Sequence, residues 1–414
     1  MGEWHQHKLA DLGQIVTGKT PPTSNPDFYG GNVPFVTPTD MDLRRTIDCT
    51  LRNLSELGAK KVKSSYIKNP AIVVSCIGSD MGKAALVDKP FVSNQQINSV
   101  IVRESFDRLF VYYNLSARKT EIRANANGAA QPIMNKTDFG NLTINVPDLD
   151  IQQAISCVLS ALDDKIELNR RMNATLEGLA RALFADWFVD FGPTRAKMAL
   201  SAKGAKNAQT KPYLAPEIWS LFPDRLDEDG VPEGWEKKPL GDCLTRLKVG
   251  KLYDKKTVKV NGTVPVLDQG KSGIIGFHNY EPNIHASSER RVAIFANHTC
   301  LMRLLDFNFS TIQNVIPFVG NKFPTEWVYY ATLGKQSFEE YRGHWPSFVA
   351  HDVVVPHMRL AEEYSMIVDP LLLKISANTA ESRTLTQTRD LLLPKLMSGA
   401  LRVRTAEGVL EEIA

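Results

Sequence analysis

The stretch ISCVLSALDDKIELNRRMNATLEGLARAL (Ile155–Leu183) carries a seven-residue repeat. The residues at this spacing are Ile155, Leu162, Asn169, Leu176 and Leu183. Further apolar residues lie between them: Val158, Leu159, Ile166, Met172 and Leu179. A heptad pattern sustained over about four to five repeats predicts a long helix that packs against another helix.

The same pattern recurs 209 residues later, as Tyr364, Leu371, Asn378, Leu385 and Leu392. Both rows have asparagine in the middle, and a polar residue at such a position typically fixes register or partner. We therefore predict that the two helices pair antiparallel, that Asn169 meets Asn378 at the crossing point, and that the flanking leucines Leu162, Leu176, Leu371 and Leu385 form the seam. The alternative is that each helix packs on its own domain and leaves its asparagine in solvent.

Matching residues before each helix indicate that the whole unit is duplicated. Trp4 and Trp235, Leu9 and Leu240, and Val33-Pro34 and Val264-Pro265 are each 231 residues apart. The separation falls to 217 for SNQQIN (Ser93–Asn98) and STIQNV (Ser310–Val315), and then to 209 along the helices. A shrinking separation in a constant order indicates loop deletions in the second copy.

Short apolar runs bounded by turn residues predict strands in both copies. The predicted fold class is α+β, with two similar mixed α/β domains separated by two long antiparallel coiled-coil helices in a pseudo-two-fold repeat. The predicted boundaries are 1–150 and 231–358 for the domains, 151–191 and 359–400 for the helices, 192–230 for an extended or partly mobile linker, and 401–414 for a tail. A helix of about 34 residues spans roughly 50 Å, which corresponds to about 15 base-pair steps of DNA.

Composition excludes several classes of protein. The 414 residues have a net charge of +3 and 43% hydrophobic content, and the apolar runs are too short for a membrane span. The amino-terminal segment has no apolar core of a secretory signal, and five scattered cysteines favour a reducing compartment. We expect a cytoplasmic protein that does not contact a membrane.

Two motifs raise the possibility of enzymatic activity. GQIVTGKT (Gly13–Thr20) fits the phosphate-loop pattern, but Pro21 and Pro22 disfavour the helix that must follow. SNPDFY (Ser24–Tyr29) is similar to an adenine methyltransferase signature but lacks its second proline. A nucleotide-dependent ATPase or a methyltransferase therefore remains an alternative, as does a repeat-built scaffold that does not bind DNA.

Four stretches resemble one known family. They are LADLGQIVTGKTPPTSNPDFYGGNVPFVTPTDM (Leu9–Met41), LFADWFVDFGP (Leu183–Pro193), VPEGWEKKPLGD (Val231–Asp242) and LLLPKLMSGALRV (Leu391–Val403). Their order and the duplication both resemble the specificity subunit of type I restriction–modification enzymes.

This resemblance implies a subunit with two target-recognition domains, two coiled-coil helices and no chemistry of its own. Its implied partners are double-stranded DNA with a bipartite asymmetric site, two modification subunits and the ATP-driven restriction subunits. S-adenosylmethionine and ATP are expected on those partners, and no cofactor or metal is expected on this chain.

Residues on predicted loops are candidates for DNA contact, because lysines, amides and backbone N–H groups bind phosphates and base edges. The first copy supplies Gly18, Lys19, Thr20, Ser79, Lys83, Gln95, Gln96, Asn98 and Gln131. The second copy supplies Lys248, Lys251, Lys255, Lys256, Gln313, Asn314, Arg342 and His344, with Gly250-Lys251 as the rough counterpart of Gly18-Lys19. Each set has a structural alternative, either a solvated surface or satisfied buried backbone.

Three aromatic residues end the first helix. Trp187, Phe188 and Phe191 are candidates for docking a modification subunit, since aromatic clusters are frequent at interfaces. Core packing is the favoured interpretation of these three residues, and docking is the alternative. The eight histidines show no ligand spacing, and the sequence offers no catalytic triad.

Overall fold

The computed structural model describes residues 3–41, 44–124, 133–202, 212–270, 273–340 and 342–403. The chain divides into two compact units. Unit 1 comprises the residues up to Arg170 together with those from Ala380 onward, and unit 2 comprises Arg171–Thr379. Each long helix contributes one half to each unit.

Unit 1 contains ten strands within the part of the chain that the structure describes. They are β1 (His5–Lys8), β2 (Gly13–Thr17), β3 (Tyr29–Val36), β4 (Asn53–Leu54), β5 (Tyr66–Ile67), β6 (Ala71–Ser75), β7 (Ala84–Val87), β8 (Phe91–Ser93), β9 (Ile97–Val102) and β10 (Thr143–Val146). Its short helices are α1 (Leu9–Leu12), α2 (Glu56–Lys61), α3 (Arg108–Ala117), α4 (Lys119–Ala124) and α5 (Lys136–Gly140), and the long helix α6 (Leu149–Phe188) begins here.

Unit 2 contains nine strands, counted over its described residues. They are β11 (Glu236–Pro239), β12 (Leu244–Arg246), β13 (Val264–Leu267), β14 (Ile274–His278), β15 (Val292–Ala296), β16 (Met302–Leu305), β17 (Ser310–Thr311), β18 (Val315–Gly320) and β19 (Asp352–Val355). Its helices are α7 (Gly192–Ala202), α8 (Pro216–Trp219), α9 (Leu240–Cys243), α10 (Thr325–Thr332), α11 (Trp345–Ala350) and the long α12 (Met358–Met397), which ends in unit 1.

The two units have matching sheet topologies. The antiparallel order β2-β9-β6-β7 in unit 1 corresponds to β12-β18-β15-β16 in unit 2. The pair β1-β10 corresponds to β11-β19, and the parallel pair β3-β8 corresponds to β13-β17. The fold class predicted from the sequence, two similar mixed units with two long antiparallel helices, is confirmed.

Strand pairing corrects one detail of the predicted repeat. Val36 pairs with Ser93 in unit 1, and Leu267 pairs with Thr311 in unit 2. Since Val36 and Leu267 are 231 residues apart, Ser93 corresponds to Thr311, a separation of 218 rather than 217. The predicted alignment of SNQQIN with STIQNV is wrong by one residue, and Gln95 corresponds to Gln313.

The long helices pair antiparallel within unit 1. The carboxylate of Asp163 accepts a hydrogen bond from Arg389 at 2.7 Å, and Asn169 donates to Glu381 at 2.7 Å. Lower numbers on α6 therefore face higher numbers on α12. Leu162 is 4% exposed, and Leu385 packs on the same core.

The pairing in unit 2 has the same direction. Asn378 donates to the side-chain oxygen of Asn173 at 2.9 Å, and the Tyr364 hydroxyl donates to the carbonyl of Ala180 at 3.0 Å. Leu371 packs on the unit 2 core, and Leu176 is half-buried.

Both middle asparagines are buried. Asn169 and Asn378 are each 1% exposed, which contradicts the alternative of solvated asparagines. A contact between these two residues would join the two units, and it stays a prediction.

The linker begins as a helix rather than as an extended chain. α7 occupies Gly192–Ala202, and the side chain of Thr194 is fully buried. Pro193 is tolerated because the N–H groups of a first helical turn have no partner within the helix. The alanines that follow favour helix, so the prediction of an extended linker over this part is wrong.

Candidate nucleic-acid interface

In unit 1 most of the predicted DNA-contact segments gather at one end of the β2-β9-β6-β7 sheet. Thr17, the last residue of β2, pairs with Asn98 near the start of β9. Val74 near the end of β6 pairs with Ala84 at the start of β7. Segments 18–20, 94–96 and 76–83 therefore leave the sheet at the same end. Segments far apart in sequence form one surface there.

The phosphate-loop pattern lies in a strand and its continuation. Gly13–Thr17 forms β2, and the backbone N–H of Gly18 donates to the carbonyl of Ile97 at 3.0 Å. A β-carbon on Gly18 would lie 2.0 Å from the carbonyl oxygen of Asn94, so two backbone segments touch there. A phosphate loop needs free amides before a helix, and here the sheet uses those amides.

Two candidate side chains of this segment are near the surface and hydrogen-bonded. Lys19 Nζ donates to Ser64 Oγ at 3.1 Å, and Thr20 Oγ1 donates to Gln95 Oε1 at 2.6 Å. Ser64 was not among the sequence candidates. The short 3-10 helix Lys63–Ser65, between α2 and β5, places it beside Lys19, and no local pattern marks it.

The amides that follow β8 differ in exposure. Gln95 is exposed, and Gln96 is half-buried with its side-chain oxygen accepting from Asn94 at 2.9 Å. Asn98 is 2% exposed and accepts from Thr17 Oγ1 at 2.6 Å. This burial contradicts the prediction that Asn98 contacts DNA directly.

The turn between β6 and β7 adds polar groups to the same end. Ser79 is exposed, and Lys83 Nζ lies 2.7 Å from the carboxylate of Asp80. This ion pair reduces the positive charge that Lys83 presents. Gln131 lies outside the described residues.

Unit 2 repeats this arrangement. Arg246, the last residue of β12, pairs with Phe318, and Ala296, the last of β15, pairs with Val315. Segments 247–252, 297–301 and 312–314 therefore meet at one sheet end. They border a cavity of about 760 Å³, whose lining includes Lys248, Gly250, Asn297, Gln313 and Asn314.

Lys251 lies against an aromatic group. Its Nζ is 5.4 Å from the ring centroid of Tyr253 and 5.3 Å from that of Tyr280. Tyr253 stacks on His278 with centroids 4.3 Å apart. Tyr280 is 71% exposed and was not predicted, because it reaches this site only through the pairing of β14 with β13. The group presents a cation and a flat apolar ring to solvent, both of which favour nucleic acid.

The pKa of His278 is lowered from its ordinary value. Burial is the main cause, and the positive charge of Lys251 adds to it. His278 Nε2 lies 2.8 Å from Ser310 Oγ. His278 is therefore a neutral support for the aromatic group at neutral pH rather than a further cation.

The basic segment of unit 2 is longer than its counterpart. In unit 1 the N–H of Lys19 donates to the carbonyl of Ser93, and in unit 2 the N–H of Tyr253 donates to the carbonyl of Thr311. Lys19 and Tyr253 are 234 residues apart, three more than the 231 of the preceding strands. The predicted match of Gly250-Lys251 to Gly18-Lys19 is wrong, since the unit 2 segment carries an insertion of three residues.

The remaining unit 2 candidates divide by exposure. Lys255 and Lys256 are exposed, and the exposed Arg342 lies 2.9 Å from Glu339 and 3.1 Å from Glu340. His344 is fully buried, and its Nδ1 lies 3.1 Å from the carbonyl of Asn297. Burial contradicts a direct DNA contact by His344, which instead fixes the loop beside the cavity.

The predicted docking aromatics belong to a core. Trp187, Phe188 and Phe191 are 0%, 4% and 9% exposed, and they pack in the unit 2 core beside Trp235. Core packing is therefore confirmed and the docking alternative is contradicted, because the start of the second copy covers this end of α6.

The two sheet ends carry side chains that are suited to contacts with nucleic acid. The described residues contain no cluster of three or more His, Cys, Asp or Glu side chains placed to hold a metal ion. Burial raises the pKa of the Cys76 thiol to about 11, against an opposing effect of Asn98, so this thiol stays protonated at neutral pH. Lysines, amides and backbone N–H groups at the two sheet ends match the groups that contact phosphates and base edges.

Comparisons with known proteins agree with this arrangement. Residues 1–178 match the family model described as the type I restriction modification DNA specificity domain. The chain is 24% identical to the type I restriction enzyme MjaIX specificity subunit of Methanocaldococcus jannaschii, over 97% of this chain and 94% of that one. It is 25% identical to the HindI specificity subunit of Haemophilus influenzae, over 97% of this chain and 100% of that one.

The chain is similar along nearly its whole length to type I restriction enzyme specificity subunits. The resemblance inferred from the sequence is thereby confirmed. A crystal structure of the S subunit of a type I restriction–modification system from M. genitalium has the same fold, with a TM-score of 0.54 and 17% identity. The alignment covers 95% of this chain and 96% of that one.

The family model matches the first copy of the internal repeat. The matched residues 1–178 contain β1–β10 and most of α6. The sheet orders of unit 2 repeat those of the matched segment, so the same architecture occurs a second time outside the match. None of the described helices combines the length and the apolar character that crossing a membrane requires.

Proposed function

We propose that this chain is the DNA-recognition subunit of a type I restriction–modification complex. In this proposal each unit binds one half of a bipartite, asymmetric duplex site through its sheet-end loops. The chain itself performs no chemistry. A chain with this role would act in the cytoplasm, beside chromosomal DNA.

The observation that carries the proposal is that the same sheet end occurs twice with different side chains. Unit 1 presents Lys19, Thr20 and Gln95, whereas unit 2 presents a longer basic segment beside Tyr280. Shared architecture with divergent loops suits two half-sites of different sequence.

The partners follow from the family resemblance and the chemistry that this chain does not supply. Two modification subunits would bind S-adenosylmethionine and methylate adenine, and restriction subunits would supply ATP-driven cleavage. The phosphate-loop pattern gives little support to ATP chemistry in this chain, because its amides are used in the sheet.

The test is to co-express the chain with its adenine-methylating modification subunit and to map methylated adenines in genomic DNA. We expect a motif with two short specified halves and an unspecified spacer, and no methylation when the chain is omitted. A single continuous motif would count against two half-sites. ATP hydrolysis by the isolated chain that disappears in Lys19→Ala would favour the enzyme alternative.

A salt titration tests the basic segment separately. Combined Lys248→Ala, Lys251→Ala and Lys255→Ala should weaken binding and flatten the dependence of log K on log salt by about 0.9 for each phosphate that the segment no longer neutralises. Lys374→Ala, at an exposed lysine on α12, is the control and should leave the slope unchanged. Equal slopes for the triple variant and the control would exclude phosphate binding by this segment.

A further inference from the structure

A glutamine occupies the same turn in both units. In unit 1, Gln95 lies between the end of β8 at Ser93 and the start of β9 at Ile97. In unit 2, Gln313 lies between the end of β17 at Thr311 and the start of β18. The strand pairing aligns these two positions, whereas the sequence offset of 217 places Gln96 opposite Gln313.

The unit 1 turn holds Gln95 in a defined position. Asn94 is 8% exposed, and its side chain closes the turn by accepting from the N–H of Gln96 at 3.1 Å. Gly18 packs against the backbone of this turn. The Thr20 hydroxyl then fixes the exposed Gln95 amide at 2.6 Å. A side chain fixed before binding loses less conformational entropy on binding.

The unit 2 turn presents Gln313 between two cavities. Gln313 is exposed and lines both the cavity of about 760 Å³ and a neighbouring cavity of about 580 Å³. Asn314 follows it with a φ of 67°, and its carbonyl accepts from the N–H of Asn297 at 2.8 Å. Within the described ranges, Gln313 has no hydrogen bond from its side chain. Lys248 lines one cavity and Lys255 the other, so cations flank the amide.

We propose that Gln95 and Gln313 each read one adenine in the major groove, one in each half-site. This inference rests on the proposed function and names two specificity-determining residues within it. A glutamine amide pairs bidentately with adenine, because its oxygen accepts from N6 and its nitrogen donates to N7. The Thr20 hydroxyl uses one lone pair of Gln95 Oε1, and the second lone pair and both amide hydrogens remain for the base.

The neighbouring amides are less suited to this role. The Gln96 oxygen accepts from Asn94, and Asn98 is buried beneath the turn. Asn314 is half-buried, and its backbone lies in the left-handed region, which asparagine adopts more readily than most residues. The backbone conformation therefore accounts for an asparagine at this position without a role for its side chain. Of the five candidate amides that lie within the described residues, the structure leaves one exposed in each unit.

The experiment selects bound sequences from a random duplex library, using the complex of this chain with its modification subunits. Gln95→Ala should relax one adenine position in one half-site, with a roughly five- to hundredfold loss of discrimination. Gln313→Ala should relax one adenine position in the other half-site only, so each variant is the control for the other. Gln14→Ala, at an exposed glutamine on β2, should leave the logo unchanged.

A gain-of-function variant guards against loss of folding. Gln95→Arg should replace adenine by guanine at the same position, because arginine pairs bidentately with guanine O6 and N7. An unchanged adenine position in both Gln95→Ala and Gln95→Arg overturns the inference, as does a position in the wrong half-site. Complete loss of DNA binding by an assembled Gln95→Ala complex also overturns the inference. One contact to one base accounts for a roughly five- to hundredfold change in discrimination and not for all of the binding. The absence of any bipartite logo with the wild-type complex would instead refute the proposed function.

Discussion

Removal of the Asp163 carboxylate should release the carboxyl-terminal half of α12 from unit 1. Asp163 is 9% exposed and accepts two hydrogen bonds, one from Arg389 at 2.7 Å and one from the Tyr113 hydroxyl at 2.8 Å. Burial lowers the pKa of Arg389, and the contacts with Asp163 and then Asp390 together outweigh that effect, so its pKa lies above the ordinary value. The carboxylate therefore stabilises a guanidinium that is itself partly buried.

The expected loss can be estimated from these two contacts. Breaking a buried ion pair by removing one partner costs about 3–5 kcal/mol. Arg389 keeps its contact with Asp390 and is 26% exposed, so Asp163→Ala should cost about 2–3 kcal/mol through the ion pair. The Tyr113 hydroxyl loses its acceptor, which adds about 1 kcal/mol.

Hydrogen exchange of amides 384–397 measures this opening directly. A loss of about 3–4 kcal/mol corresponds to exchange that is roughly 150- to 1000-fold faster in Asp163→Ala. Asp390→Ala is the matched control, because it removes an exposed carboxylate from the same arginine and should cost at most about 1 kcal/mol. Equal exchange rates in the two variants would refute the assignment of Asp163 as the anchor.

Three further predictions concern the cores and the sheet ends. Trp187→Ala should destabilise unit 2 by about 3–5 kcal/mol in urea unfolding, because Trp187 is fully buried. Trp219→Ala, at a half-buried tryptophan, should cost less. Equally small losses of stability in the two variants would favour the docking interpretation. Gly18→Ala should weaken binding of the unit 1 half-site, because the new β-carbon would lie 2.0 Å from the carbonyl oxygen of Asn94 and would displace the turn that holds Gln95. Gly178→Ala is the control on α6, where the added β-carbon meets no other atom, and it should raise the free energy of unfolding by roughly 0.5–1 kcal/mol. The pKa of His278 is lower in the folded protein than in the unfolded chain, so protonation of this group favours the unfolded state. The neutral His278 therefore contributes its full stabilisation above the unfolded pKa of about 6.5. Below that pH the free energy of unfolding decreases by at most about 1.4 kcal/mol per pH unit. His278→Gln should make urea unfolding less dependent on pH between 6.5 and 5, and an unchanged slope would contradict the assignment.

The sequence by itself determined the long helices and the duplication. Apolar residues at heptad spacing predicted helices at 151–191 and 359–400, and the structure has α6 at Leu149–Phe188 and α12 at Met358–Met397. This signal is local, because the side chains of one helical face repeat at a fixed spacing along the chain. The repeat was equally visible, since a recurring spacing between apolar residues and turns needs no knowledge of contacts.

Only the tertiary structure decided which candidate side chains reach the surface of the sheet ends. Asn98 and His344 are polar residues next to loops, yet both are buried because neighbouring segments cover them. Trp187 ends a helix in the sequence, and the second copy encloses it.

Strand register also came from the structure alone. Backbone hydrogen bonds between distant segments set it, and those bonds are indifferent to side-chain identity, so the sequence did not reveal that Gln95 corresponds to Gln313. For the same reason, the insertion before Tyr253 is recognised only from the hydrogen bond that the Tyr253 N–H donates to the carbonyl of Thr311. Periodic patterns along the chain therefore specified the elements, while contacts across the chain selected the residues that face DNA in the proposed function.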